Sequence, residues 1–246
     1  MNSSLTAQQS KRAGYVLHVM TASGAVAGML ALEAVISGHL RAALLWLIVC
    51  QVLDGLDGPL ARKLDVTIYA SRIDGHILDL VVDYLTCVVV PVALLLSQGL
   101  LPAHYATGVA ALIFLSSALW FARTDQETSD HWFNGFPAVW NLAIPTLLIL
   151  GSDKNEVLIT SLVLCGLQLT NVKIPHLVRV TTLRTITLPL TALYLIDLTF
   201  LSWNFSELSG DKINAAQKIF LIAFPVYIAG LSIWRTWFAK SQQMRS

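Results

Sequence analysis

Charged residues are scarce in this sequence, and their scarcity excludes most classes of soluble protein. Only 13% of the 246 residues are Asp, Glu, Lys or Arg, whereas 55% are hydrophobic. A soluble domain usually has about 25% charged residues. Together with a mean hydropathy of +0.65, this composition predicts a polytopic integral-membrane protein.

Cysteine-rich patterns and basic blocks are also lacking. Cys50, Cys87 and Cys165 lie in apolar runs without metal-ligand spacing, so they indicate neither a disulfide framework nor a zinc site. The net charge of +1, without a cluster of basic residues, gives no indication of a nucleic-acid partner. The N-terminus is polar up to Arg12 and does not resemble a cleaved signal peptide.

Long apolar runs take up most of the chain and predict an all-α bundle of about eight transmembrane helices. The predicted segments are 14–37, 40–61, 74–97, 104–122, 136–151, 156–172, 184–202 and 216–239. The segments 136–151 and 156–172 are close to the shortest length that spans a bilayer. Because no linker or low-complexity stretch divides the sequence, we expect residues 1–246 to form one integral-membrane domain.

The distribution of Lys and Arg predicts the orientation in the membrane. With the predicted segments alternating in direction, only four of the 16 basic residues, Arg41, Lys154, Lys212 and Lys218, face the side opposite the N-terminus. Cytoplasmic loops carry an excess of Lys and Arg. Both termini and the connection after the second helix are therefore expected on the cytoplasmic side.

Four aspartates lie within or beside apolar helical segments. Asp54 and Asp57 are three residues apart, and Asp79 and Asp83 are four apart. Each spacing places both carboxylates on one face of a helix. Since a short polar connection joins the two segments, they are expected to be antiparallel neighbours whose four carboxylates converge.

Four converging carboxylates indicate a cation site. Like charges at one site favour protonation unless a cation neutralises them, and oxygen ligands suit Mg²⁺ or Mn²⁺. Two such ions would suit phosphoryl transfer, in which the protein mainly positions neutralising charge. The alternative, transmembrane helices joined by stray polar groups, is disfavoured because intramembrane carboxylates are costly and usually functional.

Small residues accompany the aspartates. Gly58 and Ala61 continue the face of Asp54, and Gly75 precedes Asp79 by one turn, so a ligand could approach the helix backbone beside the carboxylates. Arg62 follows, and its guanidinium can bind a phosphate.

The complete stretch resembles the signature of the CDP-alcohol phosphotransferases. Eight fixed positions of that signature are matched in register by Asp54, Asp57, Gly58, Ala61, Arg62, Gly75, Asp79 and Asp83. The spacer 63–74 is about one helical turn longer than is usual in that family. In this respect the sequence resembles the bacterial phosphatidylcholine synthases.

The resemblance implies an activity and a set of ligands. It implies an enzyme of the bacterial inner membrane that transfers the phosphatidyl group of CDP-diacylglycerol to free choline and releases CMP. It implies Asp54, Asp57 and Asp79 as ligands of two Mn²⁺ or Mg²⁺ ions, with Asp83 as the catalytic base that also shares in metal binding. Dimers are common among similar proteins, so a homodimer is a further expectation.

Two residues outside the matched positions are candidates for binding CDP. Thr21, in the segment HVMT, loosely resembles a threonine that approaches the cytidine in the family, although helix packing would also explain it. Arg72 lies one turn before His76 and either contacts the diphosphate or anchors the helix end at the cytoplasmic side. The basic loop 171–184 has the same two interpretations, diphosphate binding or contact with lipid headgroups.

Aromatic residues in 120–141 are candidates for recognising choline. A quaternary ammonium is bound mainly by aromatic faces and nearby carboxylates. Phe136 and Trp140 are expected near the start of a helix and four residues apart, and the segment ending in Asn141 resembles a segment of phosphatidylcholine synthases. Tyr84, next to Asp83, is a weaker candidate. The alternative for these aromatics is an interfacial belt.

The sequence leaves two alternatives open, another acceptor for the same reaction and a cation transporter. The acceptor of the same reaction could be serine, inositol phosphate or glycerol phosphate. A cation transporter would also place carboxylates within a membrane, but no internal repeat or paired broken helix is evident. Asp197, in the seventh segment, has no evident partner in the sequence.

Overall fold

The computed structural model describes residues 7–64, 68, 70–205 and 213–239 of the chain. Lys212, Lys240 and Arg245, which entered the orientation prediction, lie outside these residues, as do positions 65–67 and 69 of the spacer. Eight helices occur in the described part, confirming the all-α prediction. They are α1 (Ala7–Ile36), α2 (Leu40–Lys63), α3 (Gly75–Ser97), α4 (Ala106–Phe121), α5 (Trp140–Leu150), α6 (Lys154–Gln168), α7 (Arg184–Trp203) and α8 (Ala215–Phe238).

Five of these helices, α1, α2, α3, α7 and α8, are long and apolar enough to cross a membrane. Helix α5 has only 11 residues, a length of about 16 Å against the roughly 30 Å of a bilayer core. Helices α4 and α6 have 16 and 15 residues. The two segments predicted at the lower length limit are thus α5 and α6.

Helix α5 begins later than the sequence predicted. The segment expected from residue 136 becomes helical only at Trp140. Gly135 and Ala138 both have positive φ, +83° and +55°, and the proline between them disfavours the α conformation of the residue before it. Phe136 therefore lies outside the helix, and the prediction that helical spacing relates it to Trp140 is wrong.

Helix α1 packs closely against both helices that carry the aspartates. Its small residues permit the approach to α3, because a Cβ at Gly24 would lie 2.8 Å from Cγ1 of Val82. The main hydrophobic core lies beyond this contact, among α2, α3, α5 and α7, where Leu47, Leu94, Ile144 and Leu198 are fully buried. The aspartates of α2 and α3 are thereby held beside α1.

A short antiparallel ladder was not predicted. Strand β1 (Trp132–Asn134) precedes α5, and strand β2 (Lys173–Pro175) follows α6; Trp132 pairs with Pro175 and Asn134 with Lys173. The backbone N–H of Lys173 also donates to Oγ1 of Thr236 (2.8 Å) at the end of α8. The ladder therefore connects two loops with the last helix.

Candidate active site

The carboxylates of α2 and α3 come together in the folded chain. Single oxygens of Asp54, Asp57 and Asp79 all lie within 4.8 Å of one another. Asp83, one turn after Asp79 on α3, lines the same small cleft, and Thr21 of α1 lines it from the third side. The helical spacing of three and four residues and the packing of α1 produce this convergence.

Only neutral hydrogen-bond donors reach the cluster from the described residues. Thr21 Oγ1 donates to Asp57 Oδ2 (3.0 Å), and Gln51 Nε2 donates to Asp54 Oδ2 (3.2 Å). Among the same residues, no Lys, Arg or His forms an ion pair with any of the four aspartates. Clustered carboxylate oxygens without a basic partner suit a hard divalent cation such as Mg²⁺ or Mn²⁺.

Helix α3 changes its winding immediately after Asp83. Residues Tyr84–Val89 form a π-helical turn. Such turns are rare in proteins overall, but those that occur are often at functional sites. The first residue of this turn, Tyr84, donates from Oη to the carbonyl oxygen of Phe114 (3.1 Å) and packs edge-on against Phe121. Tyr84, predicted as a choline contact, is thus bound to α4, and it is not among the residues that line the cleft.

The residues predicted to accommodate CDP follow the acids on the same helices. A Cβ at Gly58 would lie 3.4 Å from Nη1 of Arg62, so the guanidinium lies against the glycine. Ala61 is partly buried in a small apolar cluster with Leu17. Arg62 and Arg72 are both exposed.

Gly75 has a neighbour that the sequence did not indicate. A Cβ at this position would lie 3.1 Å from Cε1 of His18, and His18 Nε2 donates to the carbonyl oxygen of Ala70 (3.3 Å) in the spacer. The space beside Gly75 is therefore used by a side chain of α1. Asp74 then caps α3, accepting from the backbone N–H groups of His76 and Ile77.

The residues predicted to contact choline near the start of α5 are all buried: Phe136, Trp140 and Asn141. The rings of Phe136 and Trp140 meet edge to face with centroids 5.3 Å apart, and Trp140 Nε1 donates to Ser117 Oγ (3.0 Å). Asn141 Nδ2 donates to Gln51 Oε1 (2.9 Å). Of the three, Asn141 is therefore linked to the acidic cluster through Gln51.

Gln51 was missed by the sequence analysis. It lies one turn before Asp54 on the same face of α2, and its amide contacts both that aspartate and Asn141. A polar residue three positions before Asp54 in an otherwise apolar run was the available signal.

The loop layer that carries the β1–β2 ladder contains a network of charges. Glu127 accepts from Arg179 (2.8 Å) and pairs with His131 (2.7 Å). His176 stacks on Phe133 with ring centroids 5.2 Å apart. Burial lowers the pKa of His176 to about 4, although the negative charge of Glu127 acts in the opposite direction.

Asp197 has a partner in the structure. Gln217 Nε2 of α8 donates to Asp197 Oδ1 (2.9 Å). The other carboxylate oxygen is buried without a partner among the described residues. Asp197 is not among the residues that line the acidic cleft.

The fold and site together define an integral-membrane helix bundle with a carboxylate cluster that is suited to hold a metal ion. Comparison with known proteins then gives the family. The family model of the CDP-alcohol phosphatidyltransferases matches residues 16–172, which is more than half of the chain. The protein belongs to the CDP-alcohol phosphatidyltransferase family, as the resemblance of its aspartate signature predicted.

Similar proteins extend this relation over nearly the whole chain. The chain is 34% identical over 235 residues to the phosphatidylcholine synthase of Pseudomonas aeruginosa, covering 93% of this chain and 95% of that protein. It is 30% identical over 228 residues to the phosphatidylcholine synthase of Borreliella burgdorferi, with coverages of 93% and 96%. The phosphatidylcholine synthase of Bradyrhizobium diazoefficiens is 36% identical over 198 residues, with coverages of 77% and 73%.

Proposed function

We propose that this protein transfers the phosphatidyl group of CDP-diacylglycerol to free choline, forming phosphatidylcholine and CMP. The observation that carries the proposal is the convergence of Asp54, Asp57 and Asp79 within 4.8 Å in a chain that is similar to phosphatidylcholine synthases over 93% of its length. Both substrates and the lipid product are compatible with a cleft between membrane helices.

Asp54, Asp57 and Asp79 are assigned to bind the divalent cations, two Mn²⁺ or Mg²⁺ ions, with Asp83 sharing in their binding. The absence of an ion-paired basic residue among the described neighbours of the cluster supports this assignment. When bound, the ions supply positive charge that neutralises the diphosphate and the charge developing on the departing CMP.

Asp83 is assigned as the general base. It accepts the proton of the choline hydroxyl while the hydroxyl oxygen forms a bond to the β-phosphorus of CDP-diacylglycerol. The bond between that phosphorus and the oxygen leaving with CMP breaks, and its electrons stay with CMP. Since Asp83 lines the cleft beside the other three acids, the base and the leaving-group side are within one site.

Residues of α1 and α2 are assigned to the nucleotide. Thr21 donates to Asp57 and so sits where a cytidine or phosphate group would meet the acids. Gly58 and Ala61 are assigned to the same site, where the guanidinium of Arg62 lies against Gly58 and Ala61 packs beside Leu17. The exposed Arg62 and Arg72 are available to the phosphates. Gly75 contributes by admitting His18, whose bond to Ala70 holds the spacer near α1.

The acceptor is assigned as choline, in keeping with the similarity to phosphatidylcholine synthases. Trp140 and Phe136 form a buried aromatic pair that is not among the residues lining the acidic cleft, and a trimethylammonium group is attracted by aromatic faces. A phosphorylated acceptor would instead require a pocket of basic residues. The same reaction with serine, inositol phosphate or glycerol phosphate is the alternative that the assay below distinguishes.

The orientation of the site is proposed from the charge distribution. An excess of Lys and Arg on the side of the α2–α3 connection supports both termini and the acidic cleft on the cytoplasmic side. The bacterial inner membrane is proposed from the family resemblance. Cytoplasmic CDP-linked lipid and choline would then reach the cleft directly. A homodimer is a further prediction, made from the family resemblance alone.

The test is a transfer assay with purified protein. CDP-diacylglycerol and Mn²⁺ are supplied with labelled choline, serine, inositol phosphate or glycerol phosphate in separate reactions. We expect label in lipid from choline alone, and a stoichiometric release of CMP.

Other results would change the proposal in defined ways. Label from a different acceptor would retain the acidic site but refute the assignment of choline to Trp140 and Phe136. Failure to form lipid or release CMP with every acceptor would refute the transferase itself and favour the cation transporter, which ion flux into vesicles would then test.

A further inference from the structure

The side-chain amide of Gln51 connects the acidic cluster to a different helix. Gln51 Nε2 donates to Asp54 Oδ2 (3.2 Å), and Gln51 Oε1 accepts from Asn141 Nδ2 of α5 (2.9 Å). Gln51 and Asn141 are 90 positions apart in sequence, so the chain of bonds is a tertiary contact between α2 and α5. It ends on a carboxylate of the cluster.

The polarity of these bonds is fixed from the Asp54 end. An ionised carboxylate only accepts hydrogen bonds, whereas an amide has one donor end and one acceptor end. Gln51 must therefore meet Asp54 with its nitrogen, and its oxygen is left to accept from the nitrogen of Asn141. Turning the Gln51 amide over would place two nitrogens together at Asn141 and two oxygens together at Asp54. The bond from Asn141 thus helps to hold the Gln51 amide in the orientation that donates to the carboxylate.

Asn141 makes this bond at a cost to its own hydrogen bonding. Its side chain is 3% exposed, and its Oδ1 is buried without a hydrogen-bond partner among the described residues. An unpaired buried acceptor costs about 1–3 kcal/mol. The Asn141 amide is therefore oriented so that its nitrogen donates to Gln51, while its oxygen has no hydrogen-bond partner among the described residues.

We propose that Gln51 is a positioning residue for Asp54, and that Asn141 acts through it. The Gln51 amide holds one oxygen of Asp54 in a fixed direction and leaves the other oxygen for the divalent cation. Residues that orient a metal ligand in this way typically affect metal affinity by about 10–100-fold. The inference rests on the metal-binding part of the proposed function and is independent of the acceptor.

The experiment measures Mn²⁺ binding directly, without substrates. Purified protein in detergent is titrated with Mn²⁺, and the free ion is followed by electron paramagnetic resonance. Gln51→Leu keeps the side-chain size but removes the donor, and we expect it to weaken Mn²⁺ binding by about tenfold or more. Asn141→Leu removes the donor to Gln51 without adding a charge, and we expect a smaller loss of affinity in the same direction.

Two further variants separate positioning from general destabilisation. Gln168 is also a buried glutamine, bonded to Ser116 and Ser117 away from the acids. Gln168→Leu should lower thermal stability but leave Mn²⁺ affinity within about twofold of the original protein. The double variant Gln51→Leu/Asn141→Leu should bind Mn²⁺ no more weakly than Gln51→Leu alone, because Asn141 acts only through Gln51.

Each contrary outcome has its own meaning. A folded Gln51→Leu protein that binds Mn²⁺ as the original does would overturn the role of Gln51. Additive losses in the double variant would overturn the path from Asn141 through Gln51. If Gln51→Leu does not fold, unchanged affinity in Asn141→Leu overturns the inference instead. Absence of Mn²⁺ binding by the original protein would refute the metal assignment of the proposed function, which is a distinguishable result.

Discussion

At the scale of single residues, Asp83 is proposed to have a different role from the other three acids. Asp54, Asp57 and Asp79 have oxygens within 4.8 Å of one another, whereas Asp83 lines the cleft one turn further along α3. This arrangement matches a division between cation binding and proton transfer. Substitutions that keep the size of the side chain can separate the two roles.

Asp83→Asn should abolish detectable lipid synthesis while leaving much of the binding of Mn²⁺ and CDP. The amide cannot accept the choline proton, and loss of a general base typically slows a reaction about 10²–10⁴-fold. Turnover is measured by the transfer assay, and binding by titration with Mn²⁺ and CMP.

Asp79→Asn is the matched comparison on the same helix. It should weaken Mn²⁺ binding as well as turnover, since Asp79 belongs to the group of three. Full activity of the Asp83→Asn protein would refute its role as the base.

The sequence indicated the acids and Thr21 as site residues, but it did not indicate Gln51. The signature residues are recognisable because their spacing places carboxylates on one helix face. The contact of Gln51 with Asn141 spans 90 positions, so it depends on how α2 packs against α5, which one sequence does not reveal. The neighbour of Gly75 was missed for the same reason: His18 reaches it from α1.

At the scale of elements, Gly135 determines how the β1–β2 ladder joins the helices. Its φ is +83°, and a Cβ there would lie 2.6 Å from the carbonyl oxygen of Leu167 and 2.8 Å from that of Gln168. Both contacts are with backbone atoms at the end of α6, which cannot easily move. Only glycine allows β1 to pass this close to α6.

Gly135→Ala should therefore destabilise the protein by roughly 2–4 kcal/mol, combining the cost of the left-handed conformation with that of overpacking. Thermal unfolding in detergent measures the change. Gly108→Ala is the control, because a Cβ at Gly108 on α4 meets no atom within 4 Å. It should stabilise the helix by about 0.5–1 kcal/mol. Equal effects of the two substitutions would contradict the close approach of β1 to α6.

Hydropathy predicted the helices much better than the loops between them. The observed bounds of α2, α3 and α7 agree with the predicted segments to within two residues. The ladder has only three residue pairs, whose strands come from two separate loops, so no periodic pattern in either strand reveals the partner. The sequence predicted the start of α5 four residues too early, because residues 135–139 are as apolar as the helix itself.

At the scale of the whole molecule, the orientation in the membrane can be tested by labelling. The native residues Cys50, Cys87 and Cys165 are buried, so an introduced cysteine is the main reactive thiol. Ser37, between α1 and α2, and Ser71, between α2 and α3, are both exposed, and the full-length span α2 separates them. A membrane-impermeant maleimide applied from outside should label Ser37→Cys, and should label Ser71→Cys only after the membrane is opened. Labelling in the reverse pattern would contradict a cytoplasmic active site.

The β1–β2 ladder also has a consequence for the order of assembly during synthesis. Strand β1 leaves the ribosome about 40 residues before β2, which corresponds to a delay of roughly 2–8 seconds at about 5–20 residues per second. The anchor of β2 on Thr236 is translated later still, near the end of α8. The helices that carry the four aspartates are complete well before either event. A nascent chain therefore contains every residue that lines the acidic cleft before the loop layer is fastened to the last helix.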